Sequence, residues 1–154
     1  MASYVPTYWL QACMTKLVTF GTDAFKIALY TGTVPSTYDT ANEYYGGSTY
    51  STGCAEASGT GYTATGAAVT LTAALYTTGV HTYAAAISAG SVSWAAATLT
   101  SVTFAVLYDN TTATKWAAVV WDFGGAQSVT ANTFTINFTD TTPTGRVFYL
   151  SVSP

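Results

Sequence analysis

The chain has 154 residues, of which 49 % are hydrophobic, 15 % aromatic and only 7 % charged. This length suits one compact domain, and the combination of high hydrophobicity with little charge excludes intrinsic disorder. The four basic residues are scattered along the sequence, so the chain lacks the cluster of Lys and Arg that nucleic-acid binding needs.

An N-terminal arm or a short helix is predicted for residues 1–24. Residues 8–18 are the helix candidate, because apolar residues recur there at helical spacing, at Leu10, Met14 and Leu17. The first ten residues lack a basic segment followed by an apolar run, so no secretory signal is expected. A membrane span is not expected either, because charged residues interrupt the long apolar stretches and a span needs about 20 apolar residues.

The first predicted strand lies at residues 25–31. Phe25, Ile27 and Leu29 occupy every second position there, and successive side chains of a strand point to opposite faces of the sheet. Residues 69–75 alternate in the same way between apolar residues and Thr or Ala. They are therefore predicted to form a half-buried strand.

The segment between these two strands, residues 32–66, is rich in Gly, Ser, Thr and Tyr and has no regular pattern. Long irregular loops in compact domains are usually functional or disordered, and Tyr offers a large contact area with few rotatable bonds. Two interpretations stay open. The segment is either a contact loop for a partner or a surface excursion that packs on its own domain.

A β-hairpin is predicted from residues 98–108 and 115–123, because both segments alternate in strand fashion and Asp109-Asn110 supplies good turn residues between them. The second segment is apolar on both faces. It is therefore either central and covered on both sides, or half of it lies in a subunit contact. Gly124-Gly125 is predicted to end this strand.

Further strands are predicted at residues 81–87, 91–94, 133–138 and 147–152. Together with the others they make about seven or eight short strands separated by turn signals, without a long helical pattern. Residues 25–154 are therefore predicted to form a single all-β domain, an antiparallel β-sandwich of jelly-roll type.

The sequence offers few groups for catalysis. The only histidine, His81, lies in a weak strand, and most of the seven carboxylates lie at turns or strand ends, so no nucleophile–base pair or acid–base pair is predicted. Asp122 directly follows an aromatic strand, where capping the turn is the expected role. Cys13 and Cys54 lack metal-ligand spacing and are expected to be reduced thiols. We therefore expect a protein that is not an enzyme and has no cofactor and no metal.

A set of short sequences in the strands and turns runs through most of the chain. They are FKIALY at 25–30, SGTGYTA at 58–64, GAAVTL at 66–71, VSW at 92–94, AVLY at 105–108, VVWDFG at 119–124 and FTI at 134–136. In their order and spacing they resemble a family of small tailed-bacteriophage virion proteins, from about Phe25 to the C-terminus. The resemblance implies a structural part of the virion that is assembled in the host cytoplasm. The chain departs from the pattern in residues 1–20 and in the Tyr-rich stretch 38–50.

The resemblance, the scarcity of charge and the lack of catalytic groups together predict a capsid decoration (cement) protein of a bacteriophage. The expected partners are the major capsid protein and copies of the chain itself, by analogy as a trimer, and neither nucleic acid nor a membrane. Interface cores are poor in charge and large aromatics dominate their energy. The predicted contact residues are therefore Trp9, Tyr44, Tyr45, Tyr50 and Trp116.

Two other classes of protein stay open. One is a binding module of a tail fibre or tail tip, in which exposed Tyr and Trp stack on glycans of the host surface. Aromatics gathered in one concave groove beside Asp or Asn would favour this module, whereas a flat spread of aromatics would favour the decoration protein. The other class is an enzyme fragment, such as a cell-wall hydrolase, which the single histidine disfavours.

Overall fold

A computed structural model describes residues 7–15, 17–19, 22–35, 45, 53–78, 81–138 and 148–150 of the chain. These residues contain one helix and eight strands. They are α1 (Thr7–Met14), β1 (Phe25–Gly32), β2 (Cys54–Glu56), β3 (Ala67–Val69), β4 (Leu71–Thr78), β5 (His81–Ala89), β6 (Val92–Asp109), β7 (Ala117–Ile136) and β8 (Phe148–Leu150). The fold is mostly β-structure, as the alternating sequence patterns predict.

The strands form two antiparallel sheets. The first has the order β2-β1-β6-β7, with β3 also pairing with β1, and the second has the order β4-β5-β8. Strands β2 and β3 lie one after the other along the same edge of β1, because β2 pairs with residues 30–32 and β3 with residues 25–27. Strand β1 therefore has neighbours on both sides, with β6 on the other.

The two faces of β1 are buried in two different apolar clusters. The helix-side core includes Trp9, Phe25, Ile27, Leu29, Leu99 and Leu107. The tyrosine-side core includes Tyr30, Cys54, Phe104, Val106, Tyr108 and Val120. Successive residues of β1 alternate between these cores, because neighbouring side chains of a strand point to opposite faces. The strand is therefore buried on both sides, and the five-stranded sheet lies between the two cores.

Helix α1 attaches to the sheet through Trp9, which is fully buried and packs edge-on against Phe25 with 6.1 Å between the ring centroids. The sequence predicts a longer helix, at residues 8–18, with Met14 and Leu17 on its apolar side. The helix ends at Met14 instead, and both side chains lie in solvent, 85 % and 53 % exposed. A helix of about two turns is too short for that apolar spacing to define its buried side.

Strand β7 is sharply bent. The rings of Phe123 and Phe134 lie 6.2 Å apart, although a straight strand would separate these residues by roughly 35 Å, at about 3.3 Å per residue. Trp121 and Phe138 likewise meet at 5.1 Å. Left-handed backbone angles occur in the paired strands at Gly124, Ala131, Ala96 and Ser101. The β6–β7 hairpin therefore folds back so that its two halves face each other.

The bend corrects the prediction that Gly124-Gly125 ends the strand at residues 115–123. Strand β7 continues through both glycines to Ile136, and the predicted segment 133–138 largely belongs to it. Gly124 has a φ of 73°, and its N–H donates to Asp122 Oδ1 at 2.7 Å. Glycine in a strand often marks a sharp bend, so this pair turns the strand without ending it, and Asp122 caps the bend as predicted.

Irregular pairing between β6 and β7 also changes which face some side chains take. The sequence pattern places Val102 on the same face as Phe104, but the register shifts between them, and Val102 belongs to the helix-side core while Phe104 belongs to the tyrosine-side core. In β7, Val119 and Val120 are buried in opposite cores. The first part of this strand is therefore covered on both faces by the chain itself, although β7 is the last strand of its sheet in the described order.

The predicted strand at residues 69–75 is divided between the two sheets. Val69 ends β3 and Leu71 begins β4, so the chain leaves the five-stranded sheet and enters the three-stranded sheet across Thr70. Val69 and Leu71 are both buried in the helix-side core, while Thr70 is exposed. The alternation of this segment is thus preserved across a change of sheet.

The predicted turn at Asp109-Asn110 joins β6 to β7. The buried Asp109 accepts a hydrogen bond from Thr111 N at its Oδ1 atom, 2.7 Å away. The Asn110 N–H donates to Ala24 O at 2.7 Å, and Ala24 N donates to Thr111 Oγ1 at 2.6 Å. The turn is therefore tied to the residue that precedes β1.

We expect Asp109→Asn to weaken the pH dependence of stability. Burial raises the pKa of the Asp109 carboxyl, the Thr111 N–H opposes the shift, and Asp23 adds to it. The folded chain then keeps this proton to higher pH than the unfolded chain, so the free energy of unfolding falls as pH rises from about 4. Asn keeps the acceptor for Thr111 N and does not titrate. Urea unfolding at about pH 4.5 and about pH 7.5 measures the difference, and an equal pH dependence in both proteins would contradict the assignment.

Candidate functional site

Glu56, the last residue of β2, accepts three hydrogen bonds at a half-buried position. Tyr62 Oη donates to its Oε1 atom at 2.8 Å and Thr65 N donates to the same oxygen at 2.6 Å. Tyr45 Oη donates to the other oxygen, Oε2. The carboxylate thus joins three separate parts of the segment that the sequence predicts as a loop at residues 32–66.

The tyrosines around Glu56 pack on the five-stranded sheet. The rings of Tyr45 and Tyr108 stack with centroids 4.2 Å apart and an angle of 10° between their planes. Lys115 Nζ lies 5.6 Å from the centroid of the Tyr45 ring, and Tyr45 N donates to Lys115 O at 3.0 Å. Tyr108 Oη donates to Thr65 O at 2.8 Å. Tyr45 therefore packs on its own domain.

We call Tyr30, Tyr45, Glu56, Tyr62 and Tyr108 the tyrosine cluster. Burial raises the pKa of Tyr108 to about 12, and it also raises the pKa values of Tyr30, Tyr45 and Tyr62, with the negative charge of Glu56 adding to each. The phenols therefore keep their protons at neutral pH, and those of Tyr45, Tyr62 and Tyr108 donate hydrogen bonds. This chemistry suits a clamp that holds the segment around Glu56 on the sheet.

A groove with a volume of about 440 Å³ lies at the bend of β7. We call it the aromatic groove, and its lining residues are Phe123, Gln127, Phe134, Thr135, Ile136 and Asn137. Phe123, Phe134 and Ile136 are half-buried and pack against the helix-side core. The groove has apolar walls with neutral polar groups beside them, and it contains no charged side chain.

Strand β7 has an exposed and uncharged stretch next to this groove. Residues 124–133 of β7, which we call the neutral ribbon, are exposed except for the half-buried Val129. They consist of Gly, Ala, Gln, Ser, Val, Thr and Asn. Because β7 is the last strand of its sheet in the described order, the ribbon also lies at a sheet edge.

The three predicted contact residues that the structure describes do not share one surface. Trp9 is fully buried in the helix-side core, and Trp116 is half-buried against it. Tyr45 packs on the opposite side of the sheet, against the tyrosine-side core. Tyr44 and Tyr50 lie outside the described residues. A contact role for these five residues stays a prediction.

The remaining candidates for chemistry lie apart from each other. Cys13 and Cys54 lie on opposite sides of the sheet, and burial raises the pKa of Cys13 to about 11 and also raises that of Cys54. Both are therefore protonated at neutral pH. His81 begins β5. Within the described ranges, no three His, Cys, Asp or Glu residues come close enough together to hold a metal ion.

Comparison with known proteins finds no family model, no curated protein sequence and no solved structure that matches the chain. In the part of the chain that the structure describes, no helix has the length and apolar character to cross a membrane.

Proposed function

We propose that the chain is a structural protein of a bacteriophage particle. Its most specific role is that of a capsid decoration (cement) protein, which stabilises the head by binding the major capsid protein and copies of itself. The phage origin is supported by the resemblance in sequence. The contact role is supported by one structural observation, the neutral ribbon. The protein acts by binding, without catalysis.

A partner can cover the neutral ribbon with little loss of free energy from desolvation. Exposed edge strands normally carry Lys or Pro, which prevent pairing with other chains, and residues 124–133 contain neither. Charged groups must lose water when an interface forms, and the buried centres of interfaces are accordingly poor in charge. Small neutral side chains avoid this cost. The ribbon therefore fits a contact with a protein surface better than permanent exposure.

We also propose that the two sheets pack as layers of a jelly-roll-like β-sandwich. The chain crosses from one sheet to the other between Val69 and Leu71, and it crosses back before Val92, the first residue of β6. All three side chains are buried in the helix-side core. Sheets that exchange strands around a shared core pack face to face or at right angles, which supports this arrangement.

We expect Thr130→Lys to reduce the number of copies bound to phage particles by about tenfold, equivalent to about 1.4 kcal/mol of binding free energy. Thr130 is exposed in the neutral ribbon, so the change adds a charge to the contact surface and leaves the core intact. Particles assembled with the variant in place of the natural chain would be purified, and the copies per particle counted by mass spectrometry.

The matched control is Thr114→Lys, which adds the same charge at an exposed position in the turn between β6 and β7. Its occupancy should equal that of the natural chain. Equal occupancy of both variants would contradict a role for the ribbon. Cryo-electron microscopy locates the copies: many copies over the head support decoration, whereas a few copies at the tail would reject it.

One observation favours the second candidate, a tail fibre or tail-tip module that binds host glycans. The aromatic groove is concave and places Phe123 and Phe134 beside Asn137, and aromatics gathered in a groove beside Asn are expected of such a module. Its aromatics are Phe and not the predicted Tyr and Trp. The position of the chain on the particle separates the two candidates.

A further inference from the structure

The turn between β6 and β7 contains a buried carboxylate that the protein satisfies only in part. Asp109 is 0 % exposed, and its Oδ1 atom accepts the hydrogen bond from Thr111 N. Its other oxygen, Oδ2, has no hydrogen-bond partner among the described residues. The hydroxyl of Thr112, in the same turn, is also buried without such a partner in the described part of the chain. Buried polar groups are nearly always paired, so two such oxygens in one turn point to a ligand.

The described Lys residues do not supply a counter-charge to Asp109. Asp109 pairs with Phe25 in the sheet, and cross-strand partners point to the same face, so its side chain lies on the helix side. Lys26 follows Phe25 in β1 and therefore points to the tyrosine side. Lys115 Nζ lies over the ring of Tyr45 on that side as well. The carboxylate of Asp109 is thus buried without a cation from these residues, which is costly for an ionised group.

A second carboxylate, Asp23, lies beside the same turn. The next residue, Ala24, bonds to the turn through both of its backbone groups, at Asn110 N and Thr111 Oγ1. The negative charge of Asp23 is close enough to add to the rise in the pKa of Asp109 that burial causes. Like charges at such a distance repel each other. A cation bound to both carboxylates would remove this repulsion and would also give the unpaired oxygens a partner.

We propose that Asp23, Asp109 and Thr112 bind a calcium ion. All three side chains offer oxygen, which is the ligand atom that hard cations prefer, and two carboxylates balance the double charge of the ion. Ca²⁺ takes about 6–8 oxygen ligands in flexible geometry, so backbone carbonyls and water can complete the set in an irregular turn, whereas Mg²⁺ demands a near-ideal octahedron. The ion would tie the residues before β1 to the β6–β7 turn. This inference does not depend on the proposed function.

The test is thermal unfolding of the full chain after a chelator has removed bound metal ions, with CaCl₂ then added back. Calcium sites with few charged ligands have a Kd of about 0.1–1 mM. At a calcium concentration of about ten times the Kd, the melting temperature should rise by about 3–6 °C. NaCl at equal ionic strength should not reproduce the rise, because it screens the repulsion without filling the site. No rise with CaCl₂, or an equal rise with NaCl, would overturn the proposal.

Three variants separate a role in binding the ion from a role in folding. Thr112→Val removes a hydroxyl that bonds to none of the described residues, so the ion-free variant should be as stable as the natural chain, while its calcium affinity should fall about fivefold. Asp109→Asn and Asp23→Asn keep the acceptors for Thr111 N and Thr19 N. Each should lower the affinity at least tenfold. Isothermal titration calorimetry measures the affinities.

The matched control for the loss of one negative charge is Asp122→Asn. Asp122 caps the bend in β7, and its variant should bind calcium as the natural chain does. If Asp109→Asn bound calcium as tightly as Asp122→Asn, the site would be rejected. The pH dependence expected of Asp109→Asn refers to the ion-free chain, so the urea experiment contains a chelator.

Discussion

Replacing Gly66 with alanine is expected to lower the free energy of unfolding by about 3 kcal/mol or more, from the combined costs of backbone strain and overpacking. Gly66 has a φ of 75°, which residues with a Cβ atom rarely adopt. A Cβ atom built there would lie 1.9 Å from Ile27 O and 2.8 Å from Ala28 Cα. These are backbone atoms of β1, so the contact cannot be relieved by rotating a side chain.

Gly66→Ala is also expected to destabilise the tyrosine cluster, because Gly66 directly follows Thr65. Thr65 donates its N–H to Glu56, accepts from Tyr108 Oη at its carbonyl oxygen, and accepts from Lys26 Nζ at Oγ1. A shift of this turn away from β1 breaks these bonds together. Equilibrium unfolding in urea measures the loss, and an unfolded variant would itself show that the loss exceeds the stability of the domain.

Gly124→Ala is the matched control for the backbone angle alone. Gly124 has nearly the same φ, 73°, but a Cβ atom there would meet nothing within 4 Å. Its expected cost is about 1–2 kcal/mol, the penalty of the left-handed conformation for a residue with a side chain. If the two variants lost equal stability, the close approach of Gly66 to Ile27 would not be the cause.

The strands could be predicted from the sequence because their signal is local. The alternation at residues 25–31 locates β1, and Asp109-Asn110 locates the turn of the hairpin. The bend in β7 could not be predicted in this way. Two of the four left-handed positions in the paired strands of the hairpin are Ala96 and Ala131, and alanine gives no sequence signal for that conformation. A pattern of period two is satisfied equally by a straight strand and by a bent one.

The candidate site could likewise be predicted only where its signal is local. Phe123 and Phe134 lie in segments that the sequence predicts as strands, but their contact depends on the bend, so the aromatic groove was not predicted. Glu56 lies in the segment predicted as a loop, and nothing in the order of residues shows which tyrosines reach it. The only sequence signal for the cluster in that segment is its high content of Tyr. It indicated contact area, and in the structure Tyr45 and Tyr62 use that area within their own domain.

Replacing Glu56 with alanine is expected to lower the free energy of unfolding by about 2–3 kcal/mol, because three hydrogen-bond donors lose their acceptor. Two of them are the phenols of Tyr45 and Tyr62, and the third is the Thr65 N–H. Bonds to an ionised acceptor are stronger than neutral ones, so Glu56→Gln, which keeps one carbonyl oxygen, should lose about 1 kcal/mol. Urea unfolding at neutral pH measures both variants.

A double-mutant cycle with Tyr45→Phe tests whether these groups act as one clamp. The phenylalanine ring can still stack on Tyr108 but cannot donate to Glu56, so the single change should cost about 1 kcal/mol. Once Glu56 is alanine, the hydroxyl of Tyr45 has already lost this acceptor, and removing it should cost much less. Residues that share a hydrogen bond show coupling of about 0.5–3 kcal/mol in such cycles. Strictly additive losses would mean that the carboxylate and the Tyr45 phenol contribute independently, and that the hydrogen bond between them does not stabilise the cluster.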